Sequence, residues 1–268
     1  MTESLTANYF FDLSDFEHRD LFEEGPVWEA LKKLGSYMPA AEYPVLPGEI
    51  KTGLPLDRPL IFHGGEYCDG SDLEIVYGNT GKGELAVYDG DRRLDGASVI
   101  MAGAVLKGSK FRLGKGVLVE SGAFISGPVI LGDFSEVRQG AYLRGNCLTG
   151  RGCVIGHVTE VKNTIFLDEA KAGHFAYLGD SILGNNVNLG AGTKMANLRF
   201  VNGNVSIRTQ DGTVDTGLRK LGAILGDQVQ TGCNSVTNPG TIIGRRSFLL
   251  PNTTSPSGFH PECSMIRG

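Results

Sequence analysis

From about residue 98 onward, aliphatic side chains recur at every sixth position. One phase of this repeat runs through Met101, Lys107, Leu113, Val119, Ile125, Leu131, Val137, Leu143, Thr149, Ile155 and Val161, and nine of those eleven positions are aliphatic. Small residues often stand two places earlier, as at Ala123, Ser135, Ala141, Cys147, Cys153 and Thr159, while glycine often follows, as at Gly114, Gly132 and Gly156. Neither the 3.6-residue period of a helix nor the alternation of an ordinary strand generates this spacing; a six-residue repeat is the signature of a parallel β-helix. Three hexads close a triangular coil, so residues about eighteen apart stack at about 4.8 Å and pair through parallel ladders. On that geometry Leu113 lies over Leu131, and Val119, Val137 and Ile155 form a column. Stability then accumulates by stacking, and the flat outer faces offer platforms for oligomerisation.

The period slips after Val161. Phe166 follows at five rather than six, Ala172 and Leu178 resume the six, Leu183 comes at five again, and Leu189 and Met195 follow at six. Residues 196–222 are an insertion in which Val205–Val214 carries an Asp211-Gly212 hairpin signal, and such excursions are where solenoids usually build binding surfaces. The hexads return at Leu225, Thr231, Thr237, Ile243 and Leu249.

The first 97 residues lack the repeat and read as a small α+β region. Pro26 at a first helical position, followed by Val27, Leu31 and Leu34, predicts a short amphipathic helix. Five prolines between Pro39 and Pro59 predict an extended connector. Leu60–Phe62, Leu73–Tyr77 and Glu84–Tyr88 predict short strands separated by glycine turns. The stretch Gly78–Gly83 lacks the spacing and the terminal hydroxyl residue of a phosphate loop and reads as a hairpin turn. The expected organisation is therefore 1–97 as one part of unassigned role and 98–268 as a β-helix interrupted at 196–222.

Composition narrows the function classes. The chain has 268 residues, 39 of them glycine, with 21 % charged residues and a formal net charge of −5. Without a long Lys/Arg block, it shows no duplex-binding footprint, so nucleic acid is not an expected partner. The acidic N-terminus has no basic segment followed by an apolar one, and no apolar run reaches spanning length. A soluble cytoplasmic protein is expected. The five scattered cysteines form no C-x-x-C pair and are expected to be reduced thiols used mostly for packing.

One block carries more specific information. Glu160-Val161-Lys162, Lys171-Ala172-Gly173-His174, Tyr177-Leu178-Gly179-Asp180 and Asn186-Val187-Asn188-Leu189-Gly190-Ala191-Gly192-Thr193 resemble the left-handed β-helix acyltransferases. The likeness is to the acetyltransferase domain of bifunctional N-acetylglucosamine-1-phosphate uridyltransferase/glucosamine-1-phosphate acetyltransferase, and it is ungapped from Lys162 to Thr193. The left hand comes only from this resemblance, because crossovers between parallel strands are otherwise right-handed. The resemblance implies a homotrimer with its active site between subunits, and transfer of acetyl from acetyl-CoA to the amine of an amino-sugar phosphate without a metal. It implies His174 as general base, Arg144 and Lys162 at the sugar phosphate, Tyr177 and Asn188 at the amino-sugar, and Asn197 and Lys220 in a loop over it. Ala191, Cys233 and Pro251 fall at acetyl-CoA positions, although Cys233 replaces a serine and Pro251 an alanine; Arg267 matches a CoA-binding arginine only across a one-residue gap. Two departures stand out. The family's Asn-Tyr-Asp-Gly loop is Asn197-Leu198-Arg199-Phe200 here, and the pyrophosphorylase part, with its glycine-rich nucleotide loop, has no counterpart.

The chemistry of these residues fits. A thioester is already activated, so the difficulty is removing a proton from the ammonium form of the acceptor, which a histidine titrating near neutrality can do. A backbone N–H at Ala191 can stabilise the oxyanion, and Arg144 with Lys162 can neutralise a phosphate. Simpler roles exist for each. Arg144, Lys162 and Lys220 are ordinary surface charges, Tyr177 is an interface residue, Asn188 is a stacked turn asparagine, and Cys233 is a packing residue with no adjacent base that would make it an acyl nucleophile. His157 with His174 lacks the third histidine of a zinc site. The alternatives are an acyltransferase acting on a nucleotide-linked amino-sugar and a non-catalytic solenoid that binds sugar phosphate or CoA.

Overall fold

The computed structural model describes residues 5–267; the outer limits of the two expected parts, at 1–4 and 268, lie outside them. The repeat region is a left-handed parallel β-helix of about nine turns. Face 1 stacks nine parallel strands from Ser98–Ile100 to Met265–Ile266, face 2 eight from Val105–Lys107 to Thr254–Ser255, and face 3 eight from Phe111–Leu113 to Gly258–His260. Leu113 pairs with Leu131, and Val137 pairs with both Val119 and Ile155, as eighteen-residue stacking requires. Where the sequence slips to five, the coil shortens: Ile155 pairs with Ala172 and Val161 with Leu178. These interior side chains are buried throughout.

The hexad phase fails in the first coil. Ile100 and Leu106, not Met101 and Lys107, point inward, pairing with Val119 and Ile125. One extra residue before Phe111 makes that coil longer and leaves Lys107 exposed.

Residues 5–43 do not stand apart from the solenoid. A short helix, α1 (Ala7–Phe10), and a longer one, α2 (Glu29–Ala40), belong to one apolar cluster in which Phe10, Phe11, Phe16, Trp28 and Leu31 meet Ile130, Leu148, Ile165, Ile182, Ile224 and Ile242 on face 3. Helix α2 starts three residues later than Pro26 and includes Pro39 in its last turn, where proline removes one i→i−4 hydrogen bond but disturbs only the end of the helix. The insertion also folds onto face 3. Its hairpin, Ser206–Thr209 with Gly212–Asp215, turns at Gln210-Asp211, one residue earlier than the Asp-Gly signal suggests. Val205 and Ile207 are fully buried in the same cluster, so the hairpin clamps face 3.

Residues 60–97 form a small antiparallel lobe over the first coils. Leu60–His63 pairs with both Glu66–Asp69 and Ser98–Ile100, and Ile61, Val87 and Leu94 pack on Val99 and Leu118. The Gly78–Gly83 stretch is indeed the link between antiparallel strands, Glu74–Val76 and Ala86–Asp89, built around a 3-10 turn at Thr80–Lys82. Faces 3 and 1 are thus covered in part by the chain itself, while face 2 stays open. No described helix is long and apolar enough to cross a membrane.

Candidate acyl-transfer site

The edge between faces 1 and 2 gathers four of the expected residues into one column. His174 closes the strand Lys171–His174, and the turn that follows needs Phe175 at a positive φ of 52°. The next coil places Ala191 beneath it, the next Cys233 and the next Pro251: Gly192 N–H donates to the His174 carbonyl (3.0 Å), Asn234 N–H to that of Ala191 (2.8 Å), and Asn252 N–H to that of Cys233 (2.9 Å). Arg267, one coil further on, follows the strand Met265–Ile266 that pairs with Phe248–Leu249. From His174 to Arg267 the edge spans four coil steps, about 19 Å at the interstrand spacing. The Ala191 amide has no acceptor among the described residues. His174 is exposed rather than turned inward, as a residue that meets a substrate must be.

The column continues upward through His157, which registers with His174. Its Nδ1 lies 2.9 Å from the Gln139 carbonyl, and its ring meets Phe175 edge-on at 5.4 Å. No group of three metal-ligating side chains occurs among the described residues.

The second group lies across face 2. The strands Tyr142–Arg144 and Glu160–Lys162 stack in parallel register, which brings Arg144 beside Lys162. Arg144 is ion-paired with Glu160 and its guanidinium sits 5.7 Å from the Tyr142 ring centre; the Glu160 bond holds the arginine firmly protonated. The Lys162 ammonium has no partner among the described residues. Tyr177 registers with Glu160 on the next coil. Partial burial, and then the Glu160 and Asp180 carboxylates, push its phenol above the usual range. Asn197 donates to Asp180 Oδ2 (2.6 Å) and bonds the Tyr177 side chain, while Asn163 donates to Asp180 Oδ1 (2.8 Å). Lys220 bridges Leu198 across the neck of the insertion, so it does stand beside Asn197. Face 2 is one short strand wide between these residues and His174, about 10 Å at about 3.3 Å per residue.

Two placements differ from expectation. Asn188 is not a turn residue: it lies exposed on a face 1 strand between Lys171 and Gln230, across the edge from Tyr177. Within one chain it does not join the face 2 group. Cys233 is exposed at the edge rather than packed. Cys147 and Cys153 do pack, and burial pushes the Cys147 thiol up to about 12 and Cys153 higher still.

Comparison with known proteins bears on this arrangement. The family of the GMPPB C-terminal domain matches residues 125–253, just under half of the chain. A bifunctional sugar-1-phosphate nucleotidylyltransferase/acetyltransferase of Sulfurisphaera tokodaii is 38% identical over 151 residues, 50% of this chain and 38% of that protein. A bifunctional protein GlmU of Methanococcus maripaludis is 38% identical over 122 residues, 46% of this chain and 29% of its own length. The chain repeats resemble those of hexapeptide-repeat acyltransferases. A putative uncharacterized acetyltransferase, YaiX, of Escherichia coli is 33% identical over 139 residues, 52% of this chain and 60% of that one. The chain thus spans less than two thirds of these relatives. Among solved structures, a mutant GDP-perosamine N-acetyltransferase of Caulobacter crescentus, in complex with CoA and GDP-perosamine, matches 59% of this chain and 52% of its own at 20% identity and a TM-score of 0.28; that likeness is too distant to bear on function.

The sequence motifs contain Glu160 and Asp180 but give neither carboxylate a role, and both make the contacts of the candidate site. Glu160 stands two residues before Lys162, and alternation along a strand puts both on the same outer face. Asp180, at the corner after Tyr177–Gly179, ties two asparagines together and is 8% exposed. Period-two spacing would have found Glu160; Asp180 becomes visible only once the corner is folded.

Proposed function

We propose that the chain transfers acetyl from acetyl-CoA to the amine of an amino-sugar phosphate of the glucosamine 1-phosphate type. One juxtaposition carries this reading: an exposed histidine heads an edge column of the length of an extended pantetheine arm, and an unpaired lysine beside an arginine lies one strand width away. Acetyl-CoA lies along the edge past Ala191, Cys233 and Pro251, with Arg267 at its far end. The sugar lies on face 2 against Tyr177, with Asn197 and Lys220 at its rim and its phosphate on Lys162 and Arg144.

His174 accepts the ammonium proton and frees the nitrogen lone pair. The nitrogen attacks the thioester carbon, the Ala191 amide receives the oxyanion, and the C–S bond breaks. The departing thiolate takes the proton back from the imidazolium and leaves as CoA thiol, the second nitrogen proton passes to water to leave the neutral amide, and no acyl-enzyme forms. Cys233, exposed but without a neighbouring base, is a wall of the thioester channel.

The open face 2 is one side of a cleft closed by a second copy in a homotrimer, and Asn188 reaches an acceptor from the neighbouring chain across that closure. Of the region 1–97, the described residues from 5 on serve as a cover for faces 3 and 1, apart from the catalytic part assigned to 98–268. A cytoplasmic location, where acetyl-CoA is supplied, belongs to the same reading. Thiol release from acetyl-CoA with glucosamine 1-phosphate tests the reading: release that disappears in His174→Ala supports it, and release that persists in that variant removes the assigned base.

A further inference from the structure

His174 has a histidine neighbour to which the steps above give no part. The face 1 strands Val154–His157 and Lys171–His174 stay in parallel register to their last residue, so His157 and His174 occupy consecutive rungs about 4.8 Å apart. A carbonyl oxygen can only accept, so the 2.9 Å contact with the Gln139 carbonyl fixes the hydrogen of His157 on Nδ1 and leaves the lone pair of the neutral ring on Nε2. The Gln139 corner is anchored in turn from the coil above, where Glu120 Oε2 accepts its N–H (2.8 Å). His157 Nε2 has no hydrogen bond or ion pair among the described residues. Phe175 completes the group: its ring meets that of His157 edge-on at 5.4 Å and lies 6.3 Å from that of His174. Elsewhere along this edge the corner conformation of positive φ falls to glycine or asparagine, at Gly122, Gly140, Gly192, Asn234 and Asn252, whereas the two histidine coils place Val158 (φ 50°) and Phe175 (φ 52°) there. β-branched and bulky side chains are strained in that conformation, and strain of this kind clusters at functional sites.

The proton count of amide formation calls for a second acceptor. The nitrogen enters as an ammonium with three protons and leaves as an amide with one, and a single imidazole Nε2 takes up only one of the two. Once the C–N bond has formed, His174 already holds the first proton, and the intermediate still carries two on a positively charged nitrogen. Until one of them leaves, that nitrogen competes with the thiolate as the group expelled. The carboxylates nearby are engaged, Glu160 by Arg144 and Asp180 by Asn163 and Asn197. We propose that His157 is a second catalytic base, resting on the reading of His174 as the base that meets the acceptor amine. Its Nε2 takes one of the two remaining nitrogen protons as the oxyanion pair returns to carbon; the C–S bond then breaks, and the sulfur receives the proton held on His174. His157 passes its own proton to water. One ammonium and one thioester thus yield one amide, one thiol and one proton released to solvent, and the Phe175 ring beside both imidazoles shields the pair from water while the protons move.

Steady-state thiol release from acetyl-CoA with glucosamine 1-phosphate, measured on the full chain, tests the assignment through His157→Gln and His157→Ala. Glutamine keeps a donor for the Gln139 carbonyl but cannot take up a proton, so kcat should fall about tenfold or more while both KM values stay within about twofold. An unchanged thermal transition certifies folding. In His157→Ala, added imidazole should restore release in proportion to its free base, a response that a merely structural role does not produce; if the alanine variant does not fold, His157→Gln decides alone. The inference is overturned if His157→Gln turns over as the parent chain does, if its loss lies in KM alone, or if imidazole restores nothing to a folded His157→Ala chain. Release by the parent chain that withstands the loss of His157 refutes the second base and leaves the acetyl-transfer reading standing. No release by the parent chain with any amino-sugar phosphate refutes that reading, and the second base with it.

Discussion

Faces 2 and 3 belong to the same coils, line one apolar interior and contrast most in what they turn outward. Face 3 presents Ile130, Leu148, Ile165, Ile182, Ile224 and Ile242, all buried beneath the N-terminal segment and the hairpin. Face 2 presents Tyr142, Glu160, Tyr177 and Lys194, which stay accessible and polar. The inward positions therefore decide that a prism forms, and the outward positions decide what each side is for. A side meant for the protein's own chain is aliphatic; a side meant for a substrate keeps charge, phenol and amide within reach of water.

Substitutions on the two faces should thus fail in different ways. The largest effect is expected from His174→Ala, which should lower acetyl transfer by roughly a hundredfold or more with an unchanged denaturation midpoint. On face 3, Ile165→Ala should leave transfer intact but cost about 2–5 kcal/mol of stability, read from chemical denaturation; the contrast collapses if activity falls with it. Lys162→Met should raise the KM for an amino-sugar phosphate about ten- to hundredfold, the loss of a charge-assisted contact of about 1.5–3 kcal/mol, with kcat little altered and stability preserved.

The smallest effect concerns pH, and it belongs to face 3 alone. His18 is 3% exposed, its Nδ1 lies 2.7 Å from the Tyr37 hydroxyl and its Nε2 lies 3.4 Å from an Arg112 nitrogen. Burial lowers its pKa, Arg112 adds to that, and Glu17, Asp20 and Asp168 oppose it. A lowered pKa means that the folded state binds fewer protons than the unfolded chain, so this contribution is complete above about pH 6.5 and declines as pH falls toward the lowered folded value. Hydrogen exchange, corrected for its intrinsic pH dependence, should show protection in residues 5–43 falling from about pH 7.5 to about 5.5, and His18→Phe should flatten that fall.

Much of the prism could be read from spacing. Leu113, Val119 and Leu131 announce their column, and the slips at Phe166 and Leu183 predict the two shorter coils, because every sixth residue must fill one narrow interior. The first coil was misread: Met101 and Lys107 fit the numerical phase, but the chain places Ile100 and Leu106 inside and lengthens the corner instead of burying an ammonium. The edge-column residues His174, Ala191, Cys233 and Pro251 are singled out only by the resemblance; the fold then sets them at equivalent corners of successive coils. Asn188 could not be distinguished from a turn residue, because asparagine suits both positions. What covers face 3 was also hidden. Its signal is the middle residue of apolar triads such as Thr164–Phe166 and Thr241–Ile243, and a buried triad reads the same whether its cover comes from another subunit or from the start of the same chain.

The N-terminal segment also changes how the molecule should come apart. A bare stack has only nearest-neighbour couplings and frays from its ends one rung at a time. Here Tyr9 receives a bond from the Glu262 amide, Asp227 donates to Phe10, and Glu17 grips Arg112, so a single strap fastens the earliest coils to the last. Melting of this solenoid becomes one cooperative event, and cutting the strap would restore the gradual unravelling of an ordinary repeat protein.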